Sequence, residues 1–230
     1  MTEIPANIAK IYNRIQQAAQ KSGRNVTDIT LLAVSKTRPA SAIVEAYQQG
    51  GLCHFGENYA QEAEAKLVAL ARLPLVWHFI GPLQSNKTRL VAGHFQWLHS
   101  LDRLKIAQRL HEQRPPDLPP LNVCVQVNID DETSKSGIPL ADVPGFVQQL
   151  IGLDRLAVRG LMVIPRADQL PAATLASFQR TAEGFHRLQR QFPALPLDTL
   201  SMGMSADLEL AIEAGSTMVR VGTDIFGARG

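Results

Sequence analysis

The chain has 230 residues, a net charge of +2 and 45% hydrophobic residues, which suits a globular protein with one large core. Acids and bases alternate along it, so the basic stripe of a dedicated nucleic-acid binder is missing, and no apolar stretch reaches the length of a membrane span. Cys53 and Cys124 are the only cysteines; they form no zinc spacing or disulfide framework, and Cys124 reads as a small buried hydrophobe. The first residues lack the basic start and apolar core of a signal peptide, so a cytoplasmic location is expected.

The first 22 residues carry Ile4, Ile8, Ile11, Ile15 and Ala18/Ala19 at three- and four-residue spacing, an amphipathic helix stopped by Gly23. Apolar runs that read as buried strands follow at 29–35, 52–56, 76–81, 95–100, 121–128, 156–164, 199–203 and 218–222. Helical patterns fill the gaps, among them 40–49, 60–70, 103–112, 140–150, 175–191 and 206–214. The proline cluster 114–120 lies between a helix and a strand and reads as a rigid connection. Strands that alternate with helices in one order pair in parallel. The expected fold is α/β: a (β/α)8 TIM barrel with an extra N-terminal helix, residues 1–230 forming one domain. A doubly wound open sheet is the alternative.

In a barrel, chemistry collects after the strands, and phosphates bind after strands seven and eight. Lys36 ends the first strand; a lysine there is a candidate for Schiff-base formation, or simply a solvated lysine opening a loop. The seventh strand leads into Ser201, Gly203 and Ser205, and the eighth into Gly222 and Thr223. The glycines allow an anion to approach backbone N–H groups, and the hydroxyls can donate to phosphate oxygens. The same residues also read as tight turns with Ser205 capping a helix and Asp207 and Glu209 in its first turn. Strand alternation turns Arg220 and Gly222 toward the barrel axis, together with Val34 and Lys36. In a closed barrel the first and eighth strands are neighbours, so Lys36, Arg220 and the Gly222-Thr223 turn converge.

A reactive lysine, a phosphate cup and an inward arginine suggest pyridoxal 5′-phosphate (PLP), with an aldimine at Lys36 and the ring nitrogen facing Arg220. An always-charged guanidinium opposes protonation of that nitrogen and weakens the ring as an electron sink.

These residues lie in motifs that run along nearly the whole chain: Leu-Leu-Ala-Val-Ser-Lys-Thr (31–37), Phe-Gly-Glu-Asn-Tyr (55–59), Trp-His-Phe-Ile-Gly-Pro-Leu-Gln-Ser-Asn-Lys (77–87), Ser-Lys-Ser-Gly-Ile (134–138), Arg-Gly-Leu-Met (159–162), Gly-Met-Ser (203–205) and Val-Gly-Thr-Asp-Ile-Phe-Gly (221–227). In them the chain resembles the YggS/PROSC family of PLP-binding, PLP-homeostasis proteins. The resemblance implies a barrel like the N-terminal domain of alanine racemase, PLP on Lys36, and a role in PLP and amino-acid balance without a known reaction. It implies that Ser201, Ser205, Gly222 and Thr223 hold the phosphate, with Gly203 in the same turn and Arg220 at the ring nitrogen. Asn58 is a lesser contact, or an N-cap paired with Gln61.

His78 reads as a packing residue, and His54, His94, His99, His111 and His186 show no ligand spacing. Lys87 and Lys135 follow the third and fifth strands and are within reach of the mouth; Lys135 is the second choice for aldehyde capture. Two enzyme readings compete. A racemase needs a second acid/base opposite Lys36, and only Tyr59 lies near the mouth. A class I aldolase also needs a Schiff-base lysine and a phosphate cup. The expected partners are PLP and, transiently, PLP-dependent apo-enzymes, with the chain a monomer and no nucleic acid or membrane involved.

Overall fold

The isoleucine stripe of the N-terminal segment forms α1 (Ile4–Lys21), with Ile8, Ile11 and Ile15 all buried. The computed structural model describes residues 3–130, 132 and 136–228. After α1 come β1 (Thr30–Val34), α2 (Ala40–Gln48), β2 (His54–Glu57), α3 (Ala60–Ala69), β3 (Val76–Phe79), α4 (Thr88–His94), β4 (Trp97–Leu101) and α5 (Leu104–Gln113). The second half runs β5 (Leu121–Val127), α6 (Val143–Leu150), β6 (Leu156–Val163), α7 (Pro171–Gln191), β7 (Thr199–Ser201), α8 (Leu208–Glu213), β8 (Met218–Val221) and α9 (Thr223–Phe226).

All eight strands pair in parallel in chain order, and β1 pairs with β8, so the sheet is a closed barrel rather than an open one. The expected strands are all present, with shifted ends. The seventh stops at Ser201 because Gly203 takes a φ of +95°, which ends the extended run. Helix α7 starts four residues before the expected position, with Pro171 in its first turn, where a missing N–H costs nothing. The short α4 follows a single 3₁₀ turn and gave too few periodic positions to be read individually.

Alternation along each strand splits the core in two. Leu31, Ala33, Phe55, Phe79, Leu98, Val125, Val219 and Val221 face the helices in one large cluster. Inside the barrel, Trp97, Cys124 and Met162 form a small separate cluster with Val76. Burial pushes the Cys124 thiol up to about 12, so it packs as an inert small residue. The proline-rich connection between α5 and β5 is held by the helix end that precedes it. Buried Arg114 holds it, donating from Nε to the Pro119 carbonyl at 2.8 Å and from Nη1 to those of Ala92 and Phe95 at 2.7 Å. Among the described residues, no helix is long and apolar enough to cross a membrane.

Helix α1 packs against α2, α8 and α9, over the seam where β1 meets β8. Its Arg14 bonds Glu209 and Asp224 and the Ser205 carbonyl, so one side chain bridges the loops after β7 and β8. These ion pairs are partly exposed, and such pairs are worth about 0.2–1 kcal/mol each. Buried isoleucines outweigh them. Ile11→Ala is expected to lower the unfolding free energy by about 3 kcal/mol and Arg14→Ala by about 1 kcal/mol, read from urea midpoints.

Candidate functional site

Lys36 emerges half-buried just past β1, and both peptide bonds that flank it are held from behind. Lys66, buried on α3, donates to the Ser35 carbonyl at 2.8 Å, to Glu57 Oε1 at 2.8 Å and to Glu62 Oε1 at 2.6 Å. The Ser35 hydroxyl donates to the same Glu57 oxygen at 2.6 Å, and the Thr37 N–H donates to Glu62 Oε1 at 2.6 Å. Glu57 is fully buried; burial raises its pKa, while Lys66 and Ser35 pull it back down. Thr37 sits at φ +64°, a left-handed conformation that disfavours a β-branched residue. The Thr37–Glu62 bond helps to hold it there. None of Glu57, Glu62 and Lys66 stood out in the sequence, because the cluster exists only once α3 packs behind the ends of β1 and β2.

Arg220 points into the barrel as its strand parity requires, and it is almost fully buried. Nη1 donates to the Ser201 carbonyl at 2.6 Å and to Ser201 Oγ at 2.8 Å, and Nη2 donates to the Val163 carbonyl at 2.9 Å. Burial lowers its pKa to about 10, which leaves it charged at neutral pH. Ser201 is therefore engaged inside the barrel, where its hydroxyl meets Arg220 and His99. His99 in turn meets His78, and His78 meets His54, so three histidines without ligand spacing in the sequence are brought into one line.

The loops after β7 and β8 flank the seam with β1. At Gly203 an added Cβ would lie 2.5 Å from the Ala211 Cβ, and at Gly222 it would lie 3.3 Å from the Val34 Cβ. Both glycines thus have a packing reason that the sequence did not reveal. Contact between Gly222 and Val34 brings the β8 turn against the end of β1, two residues before Lys36. Thr223 is exposed and Ser205 half-buried on these loops. Among the described residues, no protein acceptor takes the backbone N–H of Ser205, Ala206, Thr223 or Asp224.

The two expected caps are not formed. Helix α8 begins at Leu208, and Asp207 in the cap position accepts from the Met204 N–H at 2.6 Å, so Ser205 is not an N-cap. Asp207 accordingly lies outside the first turn, and Glu209 spends its charge on Arg14. Helix α3 begins at Ala60, with Tyr59 as its cap residue and no side-chain cap bond, which removes the N-cap reading of Asn58. Instead, the Asn58 Oδ1 is buried without a partner among the described residues. Asn58 also lines a cavity of about 320 Å³ with Tyr59, Phe79, Gln84 and Lys87. Lys135 lies outside the described residues.

Burial holds the inner histidines neutral, His78 well below its ordinary 6.5, and with the Arg220 charge beside it His99 falls to about 3. A depressed pKa in the fold means that the unfolded chain binds the extra proton, so stability is complete above pH 6.5 and falls as pH drops toward about 3. His99 alone is expected to remove about 2 kcal/mol between pH 8 and pH 5. Urea unfolding at both pH values should show a drop that is smaller by about this amount in His99→Asn.

The alanine racemase N-terminal domain family model matches residues 6–230. The chain is 57% identical to the pyridoxal phosphate homeostasis protein of Pseudomonas aeruginosa, covering 100% of this chain and 97% of that one. It is 52% identical to the protein of the same name from Escherichia coli (strain K12), over 100% and 98%. Among solved structures, PipY of Synechococcus elongatus PCC7942 with PLP bound superposes with a TM-score of 0.81 at 41% identity, over 93% of this chain and 100% of that one. The chain belongs to the pyridoxal phosphate homeostasis protein family, built on the alanine racemase N-terminal domain.

Proposed function

We propose that this protein binds PLP and takes part in its homeostasis, with residues 1–230 acting as one unit that holds the cofactor covalently at Lys36 and catalyses no reaction of its own. The observation that carries this reading is the convergence, at the β8–β1 seam, of Lys36, the buried Arg220 cation and four backbone amides without acceptors among the described residues. The PLP-bound PipY relative, 41% identical, supports it.

Each group has a task that its chemistry suits. When bound, PLP supplies an aldehyde that captures amines and a ring that withdraws electrons. Lys36 Nζ is the attachment point, steadied by the Lys66–Glu57–Glu62 cluster behind it. The amides after Gly203 and Gly222, with the Ser205 and Thr223 hydroxyls, hold the phosphate. Arg220 donates to the ring nitrogen and opposes its protonation, which suits storage better than carbanion chemistry. Ser201 contributes by fixing Arg220, and the unpaired Asn58 Oδ1 accepts from the ligand side. In this reading the monomer gives PLP up to apo-enzymes through transient contact at the mouth.

The test is the visible spectrum of the purified protein before and after borohydride, with the modified peptide located by mass spectrometry. A band that borohydride converts into a stable adduct on Lys36, and that Lys36→Ala lacks, is expected. No band with added PLP, or an adduct only on another lysine such as Lys135, would overturn the reading.

The cluster behind Lys36 makes a separate prediction. Lys66→Met strands the buried Glu57 carboxylate, which costs about 3–5 kcal/mol of stability. It should also slow covalent attachment of PLP by about tenfold, the loss of one well-placed contact. Thermal melts and borohydride quenching over time read the two effects separately.

A further inference from the structure

One unbroken hydrogen-bonded chain crosses the barrel and ends on Arg220. His54 Nδ1 lies 3.0 Å from His78 Nε2, His78 Nδ1 lies 2.9 Å from His99 Nε2, and His99 Nδ1 lies 2.8 Å from Ser201 Oγ. Arg220 Nη1 donates to that Oγ at 2.8 Å. His78, His99 and Ser201 are fully buried, whereas His54, at the N-terminal end of β2, is half-buried.

Counting protons sets the direction. A guanidinium only donates, so Ser201 Oγ accepts from Arg220. The hydroxyl hydrogen of Ser201 then has one acceptor among the described residues, His99 Nδ1. Were Nδ1 protonated, Ser201 would face two donors with its own hydrogen stranded in a dry site, which buried polar groups avoid. Burial keeps His99 neutral, so its proton sits on Nε2 and is donated to His78 Nδ1. By the same count His78 donates from Nε2 to His54 Nδ1. Every donor along the line points away from Arg220.

We propose that His99, backed by His78 and His54, is a positioning residue for the Arg220 guanidinium. The one-way chain keeps a Ser201 lone pair turned toward Arg220 and leaves no imidazole proton facing the ligand's aromatic nitrogen. The direction of the chain stands on this geometry and on the burial of the rings; its effect on the ligand rests on the PLP reading above. Without His99 as acceptor, the Ser201 hydroxyl turns and Arg220 keeps only its two carbonyl bonds, so its aim is less tightly fixed, while the phosphate contacts are untouched.

Two-bond ¹H–¹⁵N spectra of the full-length, histidine-labelled protein without PLP test the direction. His54, His78 and His99 are all expected to be protonated at Nε2 only at neutral pH. A proton on Nδ1 of His78 or His99, or a cationic ring at either, overturns the proposal. The effect is read with ¹⁵N-labelled PLP. His99→Phe should shift the ring-nitrogen resonance and raise the dissociation constant about tenfold, with the ³¹P resonance unmoved. His99→Asn, whose side-chain oxygen can take the place of Nδ1, should restore both. Ser201→Ala is the smaller variant if His99→Phe does not fold, and the same changes are expected of it. If the ring-nitrogen resonance and the affinity are unchanged in a folded variant that still binds PLP, the positioning role is wrong. If the wild-type protein binds no PLP, the functional reading fails and the ring-nitrogen role with it, whereas the tautomer result stands or falls separately.

Discussion

A full positive charge sealed inside a β-barrel is the constraint around which the upper half of this molecule is organised. Arg220 has lost nearly all its water, and an ion in a low-dielectric interior survives only where fixed dipoles replace that water. The fold supplies them from strand ends: the Val163 carbonyl closes β6, and the Ser201 carbonyl closes β7. Barrel interiors are ordinarily filled by branched apolar side chains. Here apolar filling, the cluster of Trp97, Cys124 and Met162 together with Leu32 and Met218, shares the interior with the buried polar side chains of Ser201, His78 and His99. Desolvation brings the guanidinium down only to about 10, so the charge persists at neutral pH.

Two lysines near the end of β1 are placed in opposite ways. Lys66 gives its three ammonium hydrogens to a carbonyl and two carboxylates, so its nitrogen has no lone pair to offer an aldehyde. It serves as a structural cation that holds the chain on either side of Lys36. Lys36 stands on the other face of the barrel wall by strand parity and is half-buried at the end of β1. Two lysines 30 residues apart in sequence are thus sorted by geometry, one into a buried clamp and the other to the half-buried end of the first strand.

The barrel was legible because each strand is an apolar run bounded by turn residues, and the inward aim of Arg220 was legible from alternation alone. The histidine chain was not. Its members are 24 and 21 residues apart, and they meet because the register climbs two residues from strand to strand: His54 pairs with Val76, and His78 with Trp97. A search for histidines one strand-helix repeat apart with inward parity would have found it. The caps at Ser205 and Asn58 were misread for a different reason. Both residues suit an N-cap, but α8 starts three residues after Ser205 and α3 two after Asn58, so a local rule yielded to where the helices pack. The roles of Glu57, Glu62 and Lys66 depend on a tertiary contact for which no local pattern exists.

Closing a barrel joins the two strands furthest apart in sequence, and here that junction is also the candidate site. β7 is three residues long and shares a single paired position with β8, so this part of the wall has few ladder bonds of its own. Helix α1 compensates from outside. Its isoleucines fill the space beside α8 and α2, Arg14 ties the Ser205 loop to Asp224, and Asn7 donates to the Ile225 carbonyl at 3.2 Å. From the other side, Arg38 donates to the Gly227 and Ala228 carbonyls. The segment added before the first strand and the segment just after Lys36 therefore both grip the loops that follow β7 and β8. A barrel with this junction left loose would let the loops after β7 and β8 drift relative to Lys36. The extra helix is best understood as the part that keeps the two ends of the site in one frame.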